Sequence, residues 1–187
     1  SQKDNCKTQA DSVAYLNTLK DLHAKDPKNE RYFGLLIDYY SKPWLTAEKK
    51  TWLEDELAKD PQNKMAWALK GETFMNEEKW DDAVAAYKKA IEIDPSFVQV
   101  IFNIGITLNS KAISLKDQLA NKSTGRLSAA DNQKVLDVLN ESKGYLEKLK
   151  DMDPNQEKTN WAYPLYQIYY AIGDEAKANE MQQLLKK

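Results

Sequence analysis

The stretch KMAWALKGETFMNEEKWDDAVAAYKKAIEIDPSF, residues 64–97, decides how the rest of the chain is interpreted. Small and aromatic residues recur in it at helical spacing in two groups. The first group is Trp67, Gly71 and Phe74, and the second is Trp80, Ala83, Tyr87 and Ala90. A small residue beside large aromatic residues is typical of two helices that cross closely. Pro95 ends the second helix, because proline lacks a backbone donor and disfavours helical geometry at the preceding Asp94.

The Asp-Pro pair that closes this stretch recurs along the chain. Its prolines are Pro27, Pro61, Pro95 and Pro154, in steps of 34, 34 and 59 residues. A fixed period near this length is typical of stacked helix pairs, in which each unit buries its faces only against its neighbours. We therefore predict an all-α solenoid, and the longer last step indicates an insertion of about 25 residues in one unit.

Residues 64–97 resemble the tetratricopeptide repeat (TPR), with Lys70 standing where that family usually has an aliphatic residue. The resemblance implies a right-handed superhelical solenoid and a non-catalytic role in protein–protein interaction or as a scaffold. We expect the whole chain, 1–187, to form one TPR-like domain. Its segments are a leading helix (8–25), a divergent repeat (30–63), the best-matched repeat (64–97), a repeat with the insertion (98–156) and a C-terminal repeat (159–187).

The inserted segment is predicted to be an antiparallel pair of long helices, which we call the arm. Apolar residues continue at spacings of three and four before and after a polar turn at 121–131. The outgoing set is Ile101, Gly105, Leu108, Ala112, Leu115 and Leu119, and the returning set is Val135, Leu139, Ser142, Leu146 and Leu149. Two alternatives stay open. The arm either only packs upon itself, or it also extends a binding surface and reaches a partner through its polar turn.

Composition and motifs argue against several function classes. The 27 basic and 29 acidic residues of the 187 are nearly balanced, which is typical of solvated helix faces rather than of a nucleic-acid-binding surface. The longest apolar run falls far short of the roughly 20 residues that span a bilayer, so we expect no membrane-spanning helix. A single cysteine, Cys6, and a single histidine, His23, offer neither an intramolecular disulfide nor a zinc ligand set. We predict no cofactor, metal site or enzymatic activity, and we interpret His23 as a surface residue.

The family resemblance indicates where a partner binds. In TPR proteins the first helices of successive units line a concave groove that often holds an extended peptide. Counting by the 34-residue offset places the following residues in this groove: Arg31, Leu35, Asp38, Met65, Leu69, Glu72, Met75, Gln99, Phe102, Asn103, Ile106, Tyr163, Gln167 and Tyr170. We predict a protein or peptide partner of unknown identity. Since Tyr163, Tyr166, Tyr169 and Tyr170 span more than one helix face, some of them are expected to be exposed contact residues.

One TPR subgroup grips the acidic C-terminal tails of chaperones with basic and amide side chains. Of the positions that align with this clamp, only Asn103 agrees, and Asp38 and Glu72 would repel an acidic tail. We therefore do not expect such a tail as the partner. The alternative function is structural, with self-association through the arm or the terminal helix, so the chain is predicted to be a monomer or a weak homo-oligomer. Because it begins without methionine and resembles exported bacterial TPR proteins, we expect a periplasmic or secreted location, with a cytoplasmic one as the alternative.

Overall fold

The structure, a computed structural model, describes residues 9–186, so Cys6 lies outside the described residues. These residues form helices and no strand, which confirms the all-α prediction. The helices are α1 (Gln9–Lys25), α2 (Glu30–Tyr40), α3 (Thr46–Lys59), α4 (Lys64–Asn76), α5 (Trp80–Ile93), α6 (Val98–Leu119), α7 (Ala129–Met152), α8 (Ala162–Ile172) and α9 (Glu175–Leu185). The chain divides into two compact units, unit 1 (Ser1–Lys59) and unit 2 (Asp60–Lys187). No helix in the described part is both long and apolar enough to cross a membrane.

Unit 1 is built around aromatic residues contributed by α2 and α3. Tyr40 stacks on Trp52 with ring centroids 4.7 Å apart, and Phe33 lies 5.2 Å from the same indole. His23, in the last turn of α1, joins this core: it is only 7% exposed, and its Nε2 lies 2.8 Å from the carboxylate of Glu56. The expectation of a surface histidine was therefore wrong.

Helical spacing is compatible with this burial. His23 follows the buried Leu19 by four residues, and side chains four apart lie on the same face of a helix. The partner Glu56 is 33 residues away in the chain, so the pattern within α1 alone gives no sign that a buried acceptor awaits the imidazole. The glutamate makes the burial of this polar ring tolerable, because a buried polar group without a partner is costly.

Unit 2 stacks six helices in chain order, and the small residues predicted at the helix crossings lie where two helices are closest. A Cβ atom added at Gly71 would lie 2.5 Å from the Tyr87 ring, and one at Gly105 would lie 2.5 Å from Leu146 Cγ. Both facing side chains are completely buried. Glycine is therefore required at these two positions for the close approach of α4 to α5 and of α6 to α7.

The arm consists of the outer parts of α6 and α7. Ser128 caps α7 by accepting a hydrogen bond from the Asp131 N–H, as its position in the sequence predicts. Ala112, Val135 and Leu139 are buried in the same cluster as the residues of α8 and α9. The two arm helices thus pack on each other, and their apolar contacts are continuous with the core of unit 2.

The recurring Asp-Pro pairs end helices and hold the turns that follow. Proline stops the helix, and the preceding carboxylate accepts hydrogen bonds from the next backbone N–H groups. Asp94 accepts from the N–H of Ser96 at 3.0 Å and pairs with Lys64 at 2.8 Å. Asp153 binds the longest such turn, accepting from the backbone N–H groups of Glu157, Lys158 and Thr159. Their recurrence therefore reflects a repeated turn and not a repeated catalytic group.

The pair between Asp94 and Lys64 predicts a pH-dependent contribution to stability. Hydrogen bonds from Lys64 and Ser96 lower the pKa of Asp94 from 3.8 to about 2. Because the folded pKa lies below the unfolded value, this stabilisation is present above about pH 4 and is lost as the pH falls towards 2. A double-mutant cycle of Asp94→Asn and Lys64→Gln should therefore give a favourable coupling free energy at neutral pH that falls below about pH 4 and is lost as the pH falls through about 2. A coupling that does not change with pH would contradict this account.

Candidate peptide-binding surface

The predicted groove residues lie on the first helix of each pair. Arg31, Leu35 and Asp38 lie on α2 of unit 1, where the two charged residues are exposed and Leu35 is half-buried. The remaining predicted residues lie on α4, α6 and α8 of unit 2. Because α6 contacts α8 directly, the faces of these two helices are neighbours.

On α4 the structure leaves part of the predicted set accessible. Glu72 is exposed, and Met65 and Met75 are half-buried. Leu69 is only 4% exposed, so its side chain is not accessible to a peptide, and its inclusion in the groove was wrong. Thr73, one turn later on the same side of α4, is half-buried and donates its hydroxyl to the Leu69 carbonyl.

Lys70, the departure from the family pattern, also has a structural explanation on α4. Its ammonium group lies 5.4 Å from the Trp67 ring centroid and 5.9 Å from that of Phe74. The aliphatic stem of a lysine covers apolar surface while the charge interacts with the face of an aromatic ring. Lys70 therefore shields the same aromatic residues that an aliphatic side chain would.

The electrostatics of the α4–α6 part of the surface are set by Glu72. Burial raises the pKa of the Tyr87 hydroxyl, and the negative charge of Glu72 raises it further. The nearby side chain of Asn103 on α6 opposes this rise in pKa. The Tyr87 hydroxyl nevertheless forms no hydrogen bond with any described residue. Glu72 is itself exposed on this part of the surface, and its negative charge disfavours an acidic ligand.

The α6 part of the surface combines apolar and amide side chains. Phe102, Asn103 and Ile106 are half-buried, and Gln99 is exposed. The Gln99 side-chain amide donates to the Asn103 side-chain carbonyl at 3.4 Å. Amides of this kind are both donors and acceptors, so this face is equipped to bond to the backbone of an extended chain.

The α8 part carries the most exposed aromatic residues of the predicted set. Tyr163 is 51% exposed and Tyr170 is 74% exposed, whereas Tyr169 is completely buried. This confirms that the tyrosine cluster spans two helix faces. Gln167 lies between the exposed rings and donates to the Tyr163 hydroxyl at 3.3 Å. Residues 163, 167 and 170 are spaced by four and three, so they form one stripe along α8.

Among the exposed apolar side chains that the sequence did not indicate, Trp44 and Ile113 are the most exposed. Trp44 in unit 1 is 74% exposed, and Ile113 on the arm is 57% exposed. Ile113 directly follows Ala112 but is not part of the apolar seam of α6. An apolar residue at such a position could have indicated an exposed side chain. Among residues 9–186 no three potential metal-ligating side chains cluster.

Comparison with known proteins identifies the repeat. Residues 65–97 match the family model described as tetratricopeptide repeat. The peroxisomal targeting signal receptor of Saccharomyces cerevisiae is 26% identical over 93 residues, which are 50% of this chain and 15% of the receptor. The resemblance inferred from the same residues is therefore confirmed.

Solved structures show the same fold. A monomeric mutant of IFIT1 with Gppp-AAAA is similar with a TM-score of 0.70 and 21% identity, over 91% of this chain and 36% of that one. MamA is similar with a TM-score of 0.55 and 14% identity, over 98% of this chain and 95% of that one. The chain thus spans about a third of the IFIT1 structure and nearly all of MamA. At these identities the likeness concerns the helical fold alone.

Proposed function

We propose that this tetratricopeptide-repeat chain is a non-catalytic interaction module that binds an extended segment of a protein along the exposed faces of α4, α6 and α8. We call this the α4–α6–α8 surface, and its members are Met65, Glu72, Met75, Gln99, Phe102, Asn103, Ile106, Tyr163, Gln167 and Tyr170. The observation that carries the proposal is the exposed tyrosine stripe on α8.

Tyrosine side chains are suited to this role because each combines a large apolar ring with a hydroxyl that still bonds to water or to a ligand. Tyr170 lies 6.5 Å from the half-buried Tyr166 between ring centroids, so a partner side chain can contact both rings. Truncation of such anchors accounts for most of the measured binding energy in protein interfaces. Amides on α6 and α8 supply the polar contacts, and Glu72 disfavours acidic partners.

The test uses peptides selected from a random library against the whole chain, with affinity measured by fluorescence anisotropy. Tyr170→Ala is expected to weaken binding by about 30-fold, because a hot-spot aromatic contributes about 2 kcal/mol or more. The matched control is Trp44→Ala, which removes an equally exposed aromatic side chain from unit 1. Unchanged affinity in Tyr170→Ala together with a loss in Trp44→Ala would refute the assignment of the surface.

A second candidate function, self-association through the terminal helix, is favoured by one observation. Leu184 and Leu185 at the end of α9 are both exposed. If these leucines join two copies, light scattering should show a dimer whose population rises with concentration, and Leu184→Glu should abolish it. A mass that stays monomeric across concentrations would exclude this function for α9.

A further inference from the structure

An open cleft of about 490 Å³ lies where the arm leaves the body of unit 2. The turn between α4 and α5 contributes Glu78 and Trp80 to one wall. The arm part of α6 contributes Ile113, Ser114, Asp117 and Gln118 to the other. We call this the arm-base cleft. The cleft depends on the extra length of α6. The equivalent helix of the preceding repeat, α4, ends at Asn76, which corresponds to position 110 when 34 residues are added. Because α6 continues to Leu119, its extra turns form one wall of the cleft.

The floor of the arm-base cleft is apolar. Ile113 is 57% exposed, although the neighbouring Ala112 is buried in the core. Trp80, half-buried at the start of α5, lines the same cleft. A single exposed apolar side chain needs no explanation, but an isoleucine and a tryptophan in one open cleft offer a large apolar group more surface than a flat helix face does.

The rim of the arm-base cleft is acidic. Neither Glu78 nor Asp117 forms an ion pair with any described residue. Lys111 pairs with Asp81 and Lys79 pairs with Glu77, whereas Lys116, next to Asp117, is exposed. Two carboxylates beside an apolar floor attract a cationic group and repel an anionic one.

Glu78 lies in the C-terminal capping turn of α4. It holds φ at 58°, its N–H bonds to the Met75 carbonyl at 3.0 Å, and the Lys79 N–H bonds to the Phe74 carbonyl at 2.9 Å. A left-handed residue with these two bonds is a common end of a helix, so the backbone conformation follows from the turn. The side chain of Glu78 makes no hydrogen bond to any described residue and lines the cleft.

We propose that the arm-base cleft binds a partner segment in which a large apolar side chain is flanked by lysine or arginine. The apolar side chain packs between Ile113 and Trp80, and the flanking cations pair with Glu78 and Asp117. Ser114 and Gln118, which hydrogen-bond to each other at 3.2 Å, present polar groups to the backbone of the segment. The inference does not depend on the α4–α6–α8 surface, because none of the residues that carry it belongs to that surface. It places the recognition role of the arm at its base and not at its polar turn.

The experiment follows the Trp80 indole N–H resonance of the ¹⁵N-labelled whole chain during titration with three nonapeptides. The first has a central leucine with two lysines on each side, the second replaces leucine by serine, and the third replaces the lysines by glutamates. We expect the lysine–leucine peptide to shift the resonance saturably, the serine peptide to bind about tenfold more weakly, and the glutamate peptide to have no effect. Raising the salt concentration should weaken the binding.

Variants make the assignment specific. Ile113→Ala and the double variant Glu78→Gln/Asp117→Asn should each weaken the lysine–leucine peptide by about tenfold. Asp137→Asn/Glu175→Gln makes the same change in charge at exposed positions elsewhere in unit 2 and should leave binding intact. Circular dichroism confirms that each variant is folded.

Three results would overturn the proposal. The first is the absence of a saturable shift up to about 2 mM peptide. The second is equal binding of the leucine and serine peptides, which would indicate attraction by charge alone. The third is a concentration-dependent dimer that Ile113→Ala abolishes, since the occupant would then be a second copy of the chain. Failure of the α4–α6–α8 surface would instead appear as insensitivity to Tyr170→Ala of the library-selected peptides, so the two proposals fail separately.

Discussion

Replacing Trp161 by alanine is expected to lower the free energy of unfolding of unit 2 by about 3–5 kcal/mol. The indole is only 4% exposed and lies in the cluster that joins α6, α7, α8 and α9. Its Nε1 also donates a hydrogen bond of 2.7 Å to the buried carbonyl of Asp153, so truncation leaves both a cavity and an acceptor without a partner. Urea denaturation followed by far-ultraviolet circular dichroism measures the change, and hydrogen exchange at α8 amides assigns it to unit 2.

Two variants separate the contributions to this loss. Trp161→Phe retains most of the apolar volume but not the hydrogen bond, so it should cost about 1–3 kcal/mol. Trp67→Ala is the matched control. Trp67 also donates to a carbonyl of an Asp-Pro turn, that of Pro61, at 2.8 Å. Unlike Trp161, it is only half-buried, and its hydrogen bond is exposed. If Trp67→Ala destabilised the chain as much as Trp161→Ala, burial would not be the cause.

Gly71→Leu is the second large effect, with an expected loss of about 3 kcal/mol, the upper end of the usual cost of overpacking. Even a Cβ at this position would lie 2.5 Å from the Tyr87 ring, and the ring cannot move aside because it is completely buried. The additional carbons of leucine must therefore separate α4 from α5. Thermal and urea denaturation both measure the loss.

Gly144→Leu is the control for this substitution. Gly144 is also within a helix, α7, but it is exposed, and a Cβ there would meet nothing within 4 Å. Leucine has a higher helix propensity than glycine, so the same substitution should stabilise the chain by about 0.5–1 kcal/mol. Opposite signs at positions 71 and 144 are the expected signature. Equal losses at both would mean that the backbone freedom of glycine, not helix packing, determines the effect.

Much of the fold could be predicted from the sequence because the deciding signals are local. Helical spacing in 64–97, the Asp-Pro turns and the seams of the arm each depend on residues within a few turns of one another. The burial of His23 and Leu69 depends instead on which way a helix face turns towards its neighbours. A small rotation about the helix axis moves such a residue from the surface into the core, and spacing alone does not determine that rotation.

The candidate site shows the same division. Counting along a helix by three and four residues was sufficient to place Tyr163 and Tyr170 on one stripe of α8. The repeat spacing did not indicate that Ile113 and Trp80 would line one cleft, because that depends on the length of the arm and on the turn that precedes α5. Surfaces formed between elements distant in sequence require the packed structure, whereas surfaces on a single helix do not.

The arm also affects the order in which unit 2 can fold. Its turn closes a short loop, with the Gly125 N–H bonding to the Asn121 carbonyl at 2.7 Å, and contacts between α6 and α7 extend from there towards the body. At the base, the Ser142 hydroxyl reaches the carbonyl of Gly105 across 37 residues of sequence. Since each pairing brings the next pair of residues close, the loop entropy is lost in small steps rather than in one long closure. We therefore expect the contacts between α6 and α7 to form first near this turn and to extend from there towards the body of unit 2.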